Sequence, residues 1–287
     1  MTAHTTLLDG GLSTALEKLG ANLNTSLWSG ELLRTQRNQI RDAHQSFVDA
    51  GAKILITSSY QITYPGCAAR GWNHDDVTDA LKASTELARF DGIKVAASVG
   101  PYGAYLADGS EYRGNYGLTI EELKEFHRER LNVLIASNPD YLAIETIPEI
   151  NEAKAIIELL QENGTTIPFW ISFSCKNGSQ ISSGELFSEA AALVASAPHA
   201  LGVGINCTAP IFITQLMKSV TASTRFILYP NSGREWDAVE KKWIGDQSTA
   251  FTPEQIREWE LAGASIIGGC CGVGPSDIAQ LNTFIAH

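Results

Sequence analysis

Short β-rich runs alternate with amphipathic helical stretches along the chain. Eight runs are rich in apolar and β-branched residues, and they cover positions 6–9, 53–57, 94–100, 141–145, 169–174, 202–207, 226–231 and 265–270. Between these runs, apolar residues recur with the period of an α-helix, most clearly at 75–90, 120–137, 150–162 and 253–261. This alternation is typical of a parallel sheet that is covered by helices.

The number of strand–helix units decides between two architectures. Eight units in 287 residues predict a single (β/α)8 barrel of the TIM type, with its active site at the carboxyl ends of the strands. A doubly wound open sheet is the alternative, but no G-x-G-x-x-G turn follows the first predicted strand. We expect residues 1–287 to form one domain, because no linker interrupts the alternation.

Two predicted helices begin with capping signals. Thr119 stands three positions before Glu122, and Thr252 is followed by Pro253 and Gln255. A threonine that caps the first turn, a Glu or Gln three positions later and a proline in the first turn are typical of helix N-termini.

Two connections are longer than is usual between a strand and a helix. They cover residues 101–117, after the third predicted strand, and 232–251, after the seventh. Because long loops on a rigid scaffold often carry function, both are expected to contribute to the site.

Composition and charge exclude several classes of protein. The apolar runs are far shorter than the roughly 20 residues of a membrane helix, and the formal charge of -11 without any basic cluster argues against nucleic acid as a partner. Residues 1–6 run directly into the first predicted strand, which leaves no room for a signal peptide. We therefore expect a cytoplasmic protein without a membrane or nucleic-acid partner.

Polar residues at the predicted strand ends are the candidates for chemistry, because the carboxyl ends of barrel strands meet at one face. They are Asp9, Thr57, Ser58, Glu145, Cys207, Asn231, Cys270 and Cys271. Three cysteines at one face suit Zn²⁺, whose catalytic sites keep three protein ligands and one open position. The glycines around Cys270 and Cys271 would let the backbone bend so that both sulfurs reach one ion.

An alternative interpretation is that these cysteines are small buried apolar residues. The chain has five cysteines, an odd and sparse set that is more typical of metal binding or catalysis than of a disulfide framework. Cys67 and Cys175 are expected to be structural. None of the six histidines closes a predicted strand, so histidine offers no competing ligand set; they are His4, His44, His74, His127, His199 and His287.

Motifs in almost every strand end resemble those of the homocysteine S-methyltransferase family. The matching segments are 8–11, 57–61, 98–103, 145–146, 204–207, 229–233 and 268–272. The most specific are Gly-x-Asn-Cys at 204–207 and Gly-Gly-Cys-Cys-Gly at 268–272. The resemblance covers nearly the whole chain in the family's order, and it is closer to the branch that uses S-methylmethionine or S-adenosylmethionine than to the betaine enzymes.

The resemblance implies a function and a ligand set. It implies Zn²⁺ held by Cys207, Cys270 and Cys271, and transfer of a methyl group from a sulfonium donor to the thiolate of homocysteine, which gives methionine. It also implies a homocysteine pocket near Asp9 and Glu145, and the matching segments add Gly10, Gly11, Thr57, Ser58 and Asn231 to the substrate-binding residues. The chain departs from the family at 234–236, where Arg-Glu-Trp replaces an acidic residue followed by a tyrosine.

Two further expectations concern charge. Asp9 and Glu145 are natural partners for the ammonium group of homocysteine, although one of them could instead accept backbone hydrogen bonds. The loop 101–117 is expected to form a lid over the donor, because aromatic rings and carboxylates both attract a cation. Its donor-binding candidates are Tyr102, Tyr105, Asp108, Glu111 and Tyr112, although tyrosines in such a loop also pack onto the barrel rim.

Other functions remain open at this point. Betaine is also a cation, so a betaine-type enzyme is one alternative. A zinc hydrolase or lyase is less favoured, because such enzymes commonly use histidine or carboxylate ligands and a positioned acid or base. A non-catalytic zinc site would more often have a fourth protein ligand, for which Cys175 is the nearby candidate.

Overall fold

Eight parallel strands form a closed barrel in the computed structural model, which describes residues 5–25, 27–220, 224–233, 235–237, 242–244 and 251–285. Together with two strands outside the barrel, the strands of the described residues are β1 (Thr6–Leu7), β2 (Ile54–Ile56), β3 (Lys94–Val99), β4 (Tyr141–Ile147), β5 (Phe169–Phe173), β6 (Ala200–Asn206), β7 (Phe226–Tyr229), β8 (Glu235–Asp237), β9 (Lys242–Ile244) and β10 (Ala264–Ile267). The barrel order is β1-β10-β7-β6-β5-β4-β3-β2, and β8 and β9 form a separate antiparallel pair.

Contacts between β1 and β2 close the sheet on itself. Leu8 forms a parallel bridge with Ile54. The Lys53 N–H donates to the Leu7 carbonyl at 2.8 Å, and the Asp9 N–H donates to the Ile54 carbonyl at 3.1 Å. A doubly wound sheet would instead leave two open edges, so the predicted barrel is confirmed.

Helices surround the barrel and connect its strands. They are α1 (Leu12–Lys18), α2 (Leu32–Thr35), α3 (Arg37–Asp49), α4 (Tyr64–Ala68), α5 (His74–Leu87), α6 (Tyr102–Leu106), α7 (Ile120–Ala136), α8 (Ile150–Asn163), α9 (Phe187–Ala195), α10 (Pro210–Lys218), α11 (Pro253–Leu261) and α12 (Pro275–Ile285). Short 3-10 helices cover Trp28–Glu31 and Ser110–Tyr112. Within the described ranges, no helix combines the length and the apolar character that crossing a bilayer requires.

The predicted helix starts are confirmed. Thr119 accepts a hydrogen bond from the Glu122 N–H while the Glu122 carboxylate accepts one from the Thr119 N–H. Thr252 and Gln255 make the same reciprocal pair, with Pro253 in the first turn. Each pair satisfies two backbone donors that would otherwise lack a partner at the start of a helix.

The apolar residues of the strands divide between two cores. Along β5, Trp170 points into the barrel, whereas Ile171 and Phe173 pack against the outer helices. Along β7, Ile227 and Tyr229 take the inner positions. The period of two between inner and outer side chains explains why buried parallel strands are almost continuously apolar in sequence.

The two long connections contain secondary structure. Residues 101–117 include α6 and the 3-10 turn Ser110–Tyr112, and the connection after β7 includes the antiparallel strands β8 and β9. Arg234 lies outside the described residues, and for the neighbouring Glu235 and Trp236 only the backbone is described. The sequence departure at 234–236 therefore has no structural account.

Candidate metal centre and substrate pocket

Three cysteine sulfurs converge at the carboxyl face of the barrel. Cys207 directly follows β6, and Cys270 and Cys271 lie in the turn beyond β10. Their three sulfur atoms all lie within 4.8 Å of one another, and the sulfurs of Cys270 and Cys271 are 3.8 Å apart. Because the turn lies beyond the regular strand, the two adjacent cysteines are not forced to opposite faces.

The structure joins two of these sulfurs in a bond that the sequence did not predict. Cys207 and Cys270 form a disulfide across 5.6 Å between their Cα atoms, and Cys271 is free. The two Cα atoms lie at a separation typical of disulfides, because the ends of β6 and β10 meet at one face of the barrel. A single pair is not a disulfide framework, and metal binding by the three cysteines stays a prediction. Binding one metal ion through all three thiolates requires this bond to be reduced.

The remaining cysteines lie away from the cluster. Cys175 is buried and its sulfur lies 3.8 Å from the Phe173 carbonyl oxygen. Cys67 is buried in α4. Among the residues that the structure describes, only Cys207, Cys270 and Cys271 form a group of this kind, so the cluster has no fourth cysteine, histidine or carboxylate ligand.

Glycines allow the β1 loop to press against the turn that carries the cysteines. A Cβ atom on Gly10 would come within 2.5 Å of the Val273 carbonyl oxygen, and one on Gly11 within 2.6 Å of the Cys270 carbonyl oxygen. The Gly11 N–H donates to the Val273 carbonyl at 2.9 Å. These two residues, expected to bind substrate, therefore bring Asp9 close to the cysteine turn by backbone packing.

Asp9 and Glu145 are buried carboxylates that lie close enough to repel each other at the carboxyl face of the barrel. The Ile56 N–H donates to Asp9 Oδ2 at 2.9 Å, whereas Asp9 Oδ1 is buried without a hydrogen-bond partner. Burial raises the pKa of Asp9 well above its usual range; the hydrogen bond from Ile56 opposes this and the charge of Glu145 adds to it. Burial also raises the pKa of Glu145 to about 7, although its hydrogen bonds with Ser98 and Tyr229 lower this pKa.

Glu111 and Tyr112 extend this acidic surface from the loop after β3. Glu111 Oε2 is buried without a partner, and burial raises the pKa of Glu111 to about 7. Burial raises the pKa of the Tyr112 hydroxyl well above its usual range, and the nearby Cys271 and Glu111 add to this. Burial likewise raises the pKa of the Cys271 thiol to about 12, and Glu145 adds to it. A thiolate at this position therefore needs a cation beside it.

Other donor-loop residues face away from this pocket. The ring of Tyr102 packs against Phe126 of α7 with centroids 4.9 Å apart, and the ring of Tyr105 does so at 5.5 Å. Asp108 is half exposed and pairs with Arg113 at 3.2 Å. Tyr102 and Tyr105 therefore follow the alternative prediction, in which tyrosines of this loop pack onto the barrel rim.

The loop is anchored at several points. The Tyr102 N–H donates to Glu152 Oε1, and the Asn115 N–H donates to Glu149 Oε2, each at 2.5 Å. Ser174 Oγ donates to the Glu111 carbonyl at 2.8 Å. These bonds anchor the loop at Glu111 and on both sides of it, and opening of the loop as a lid stays a prediction.

Three other predicted substrate residues have partly structural contacts. Thr57 Oγ1 accepts the Ser98 N–H at 3.0 Å and lies 2.8 Å from Ser59 Oγ. Ser58 Oγ is buried without a hydrogen-bond partner. Asn231 Oδ1 accepts the Gly233 N–H at 2.9 Å. Of the three, only Ser58 has a side-chain oxygen without a hydrogen-bond partner.

Two residues near the acidic side chains, Tyr60 and Asn206, are not among the predicted site residues. Tyr60 lies close to Glu111, Tyr112 and Glu145, and Thr146 lies near its hydroxyl. Asn206, one position before Cys207, hydrogen-bonds to Thr146. The signal available in sequence was the matching segments 57–61, 145–146 and 204–207, which contain Tyr60, Thr146 and Asn206.

Comparison with known proteins agrees with this geometry. The model of the homocysteine S-methyltransferase family matches residues 6–285. Homocysteine S-methyltransferase 1 of Zea mays is 40% identical over 97% of this chain and 94% of its own length. The Escherichia coli homocysteine methyltransferase MmuM, in its metallated form, superimposes with a TM-score of 0.85 at 36% identity, covering 98% of this chain and 96% of MmuM.

A second MmuM structure, of an oxidised form, has a TM-score of 0.86 at 37% identity over 97% of this chain and 95% of MmuM. The fold and the cysteine cluster define a barrel enzyme with a sulfur-rich centre. The chain belongs to the homocysteine S-methyltransferase family.

Proposed function

We propose that this enzyme transfers a methyl group from a sulfonium donor, S-methylmethionine in preference to S-adenosylmethionine, to homocysteine, with Zn²⁺ held by Cys207, Cys270 and Cys271. The observation that carries the proposal is the position of three converging sulfurs beside three carboxylates, the buried Asp9 and Glu145 and the partly buried Glu111. Among the described residues, none of these carboxylates forms an ion pair with a lysine, arginine or histidine. The pocket is therefore built for cationic ligands.

The cysteine cluster fits Zn²⁺ by number and by type of ligand. Three sulfur ligands with one position left open match a catalytic zinc site, and thiolates favour zinc over magnesium or calcium. The absence of a fourth ligand among the described residues argues against a purely structural site. Bound zinc would lower the pKa of the homocysteine thiol, so that its sulfur is a thiolate nucleophile at neutral pH.

Asp9 and Glu145 are proposed to bind the ammonium group of homocysteine. Asp9 Oδ1 has no partner within the protein, and Glu145 Oε1 already accepts a hydrogen bond from Ser98 Oγ. A cation between these two carboxylates compensates for their burial and for their mutual repulsion. The amino acid is thereby oriented with its side-chain sulfur toward the cysteine cluster.

Glu111 and Tyr112 are proposed to face the donor. The positive sulfonium needs a counter-charge in a pocket where water is scarce, and Glu111 supplies a carboxylate oxygen without another partner. In the reaction, a lone pair on the homocysteine sulfur forms the new bond to the methyl carbon. The bond from that carbon to the donor sulfur breaks, its electron pair stays on the leaving thioether, and the homocysteine thiol proton passes to solvent.

The rest of the chain supports the reaction by orientation and exclusion of water. Positive and negative reactants lose charge as the methyl group moves, so a dry pocket favours the transition state. No general base is needed at the methyl carbon, and positioning of the two sulfurs in line can supply several kcal/mol. A hydrolase is disfavoured, because the described cluster contains neither histidine nor a carboxylate ligand.

A comparison of donors tests the proposal. Reduced protein is incubated with homocysteine and either S-methylmethionine, S-adenosylmethionine or betaine, with and without a chelator, and methionine is measured by mass spectrometry. We expect the highest initial rate with S-methylmethionine and loss of that rate with the chelator. A higher rate with betaine than with both sulfonium donors would refute the donor assignment.

Two broader expectations accompany this function. We propose that residues 1–287 act as one homocysteine-binding domain, which is supported by the family match over residues 6–285. The cytoplasmic location and the lack of a nucleic-acid or membrane partner stay predictions. Fractionation of the source cells would test the location.

A further inference from the structure

Two residues beside the pocket have backbone conformations that side chains rarely adopt. Thr146, which follows Glu145, has a φ of 61°, and Cys207 has a φ of 45°. A β-branched residue in this left-handed region is a clear outlier, and such strain persists only where the surroundings enforce it. Each strained residue is therefore expected to have a specific partner that holds it.

Asn206 is that partner for Thr146. Asn206 Oδ1 accepts the Thr146 N–H at 2.8 Å, and Asn206 Nδ2 donates to Thr146 Oγ1 at 2.8 Å. Both side chains are almost completely buried, with 1% and 2% exposure. The two bonds pass from β6 to β4 over the end of β5, which lies between these strands.

The strand register shows that this contact lies at an irregularity of β4. Ile144 pairs with Ile171, but Ile147 pairs with Phe173, so β4 contains one extra residue at Glu145–Thr146. A bulge of this kind bends the strand and turns a side chain in a new direction. The side chain at this bulge is Glu145, the proposed partner of the homocysteine ammonium group.

We infer that Asn206 is a positioning residue that joins the homocysteine pocket to the metal centre. Through its side chain it holds the bulge that aims Glu145, and through its backbone it sets the position of Cys207. This inference rests on the proposed function, because it assigns Glu145 to homocysteine and Cys207 to zinc.

Removal of the amide tests the inference. In Asn206→Ala we expect the KM for homocysteine to rise and the affinity for Zn²⁺, measured by competition with a chelator, to fall, each by roughly 10- to 100-fold. Thr146→Val keeps the shape and the branching of the side chain but removes Oγ1. Thr146→Val should also raise the KM for homocysteine and lower the affinity for Zn²⁺, but by less than Asn206→Ala does. Thr146→Ser, which keeps the hydroxyl, should behave like the wild type.

A control separates positioning from general loss of stability. Asn73→Ala removes a side chain that accepts the Asp76 N–H at 2.9 Å and caps α5, so it lowers the melting temperature without touching the pocket. If Asn206→Ala lowers the melting temperature but leaves both constants within twofold of the wild type, the inference is wrong. In protein that binds zinc, a change in only one of the two constants would also overturn the inference, because Asn206 would then not join the two sites.

The wild type distinguishes this inference from the proposed function. Wild-type protein that methylates homocysteine without binding zinc would refute the zinc assignment, and the role of Asn206 is then decided by the KM for homocysteine alone. Wild-type protein that binds zinc and uses homocysteine, together with an unaffected Asn206→Ala variant, would refute the role of Asn206 and leave the proposed function standing.

Discussion

Gly11 lies so close to Cys270 that a Cβ atom on Gly11 would be 2.6 Å from the Cys270 carbonyl oxygen. A real Cβ does not approach a backbone oxygen this closely, so the turn with Cys270 and Cys271 would have to move. Gly11→Ala is therefore expected to cost about 1–3 kcal/mol of unfolding free energy and to weaken zinc binding. Metal analysis and thermal unfolding check both effects.

Gly20→Ala is the matched control for that variant. Gly20 has a φ of 82° and no atom near the position of an added Cβ. Its replacement should cost about 1–2 kcal/mol through backbone strain while the zinc content stays unchanged. Equal zinc content in both variants would contradict the proposed closeness of Gly11 to the metal centre.

Glu145→Gln separates substrate binding from metal binding. The amide keeps an oxygen that accepts from Ser98 but removes the charge that faces the homocysteine ammonium group. Loss of a charged hydrogen bond worth about 1.5–3 kcal/mol should raise the KM for homocysteine roughly tenfold or more, with zinc content unchanged. Loss of zinc without a change in KM would assign Glu145 a structural role.

The same substitution should stabilise the substrate-free protein at high pH. Burial raises the pKa of Glu145 from 4.5 to about 7, so the folded state holds this proton more tightly than the unfolded state. The resulting stability is fully present below pH 4.5 and is lost as the pH rises through about 7. Glu145→Gln should therefore raise the unfolding free energy by roughly 1–3 kcal/mol at pH 8 and have little effect near pH 4.

Denaturant unfolding at both pH values measures this difference. A stabilising effect that is as large at pH 4 as at pH 8 would show that ionisation of Glu145 is not its cause. Saturating homocysteine should reduce the effect at pH 8, because its ammonium group compensates for the buried carboxylate.

Glu111 and Asp108 offer a test of donor recognition within one loop. Glu111 is mostly buried with an oxygen that lacks a partner, whereas Asp108 is half exposed and paired with Arg113. Glu111→Gln should raise the donor KM roughly tenfold, which corresponds to about 1.4 kcal/mol. Asp108→Asn should leave it unchanged. Equal effects in steady-state assays at saturating homocysteine would contradict a specific role for Glu111.

The sequence predicted the fold and the cysteine cluster because both depend on regular patterns. Eight apolar runs define the barrel, and strand ends bring Cys207 close to Cys270 and Cys271. The roles of loop residues depend instead on side-chain direction, which spacing does not determine. Tyr102 and Tyr105 therefore proved to pack against Phe126.

The sequence pattern also did not predict hydrogen bonds between strands that are not neighbours in the sheet. The bonds between Asn206 and Thr146 depend on a bulge in β4 and on two left-handed residues. Apolar periodicity reports which face a residue takes, but it does not report irregular backbone or a hydrogen bond across an intervening strand.

The zinc content and the activity of one sample test the central claim most directly. Wild-type protein and Cys207→Ser are purified under reducing conditions, and zinc per chain is measured beside methionine formation from homocysteine and S-methylmethionine. We predict one Zn²⁺ per wild-type chain, and the loss of both zinc and activity in Cys207→Ser. Full methyl transfer by wild-type protein that contains no zinc would contradict the account.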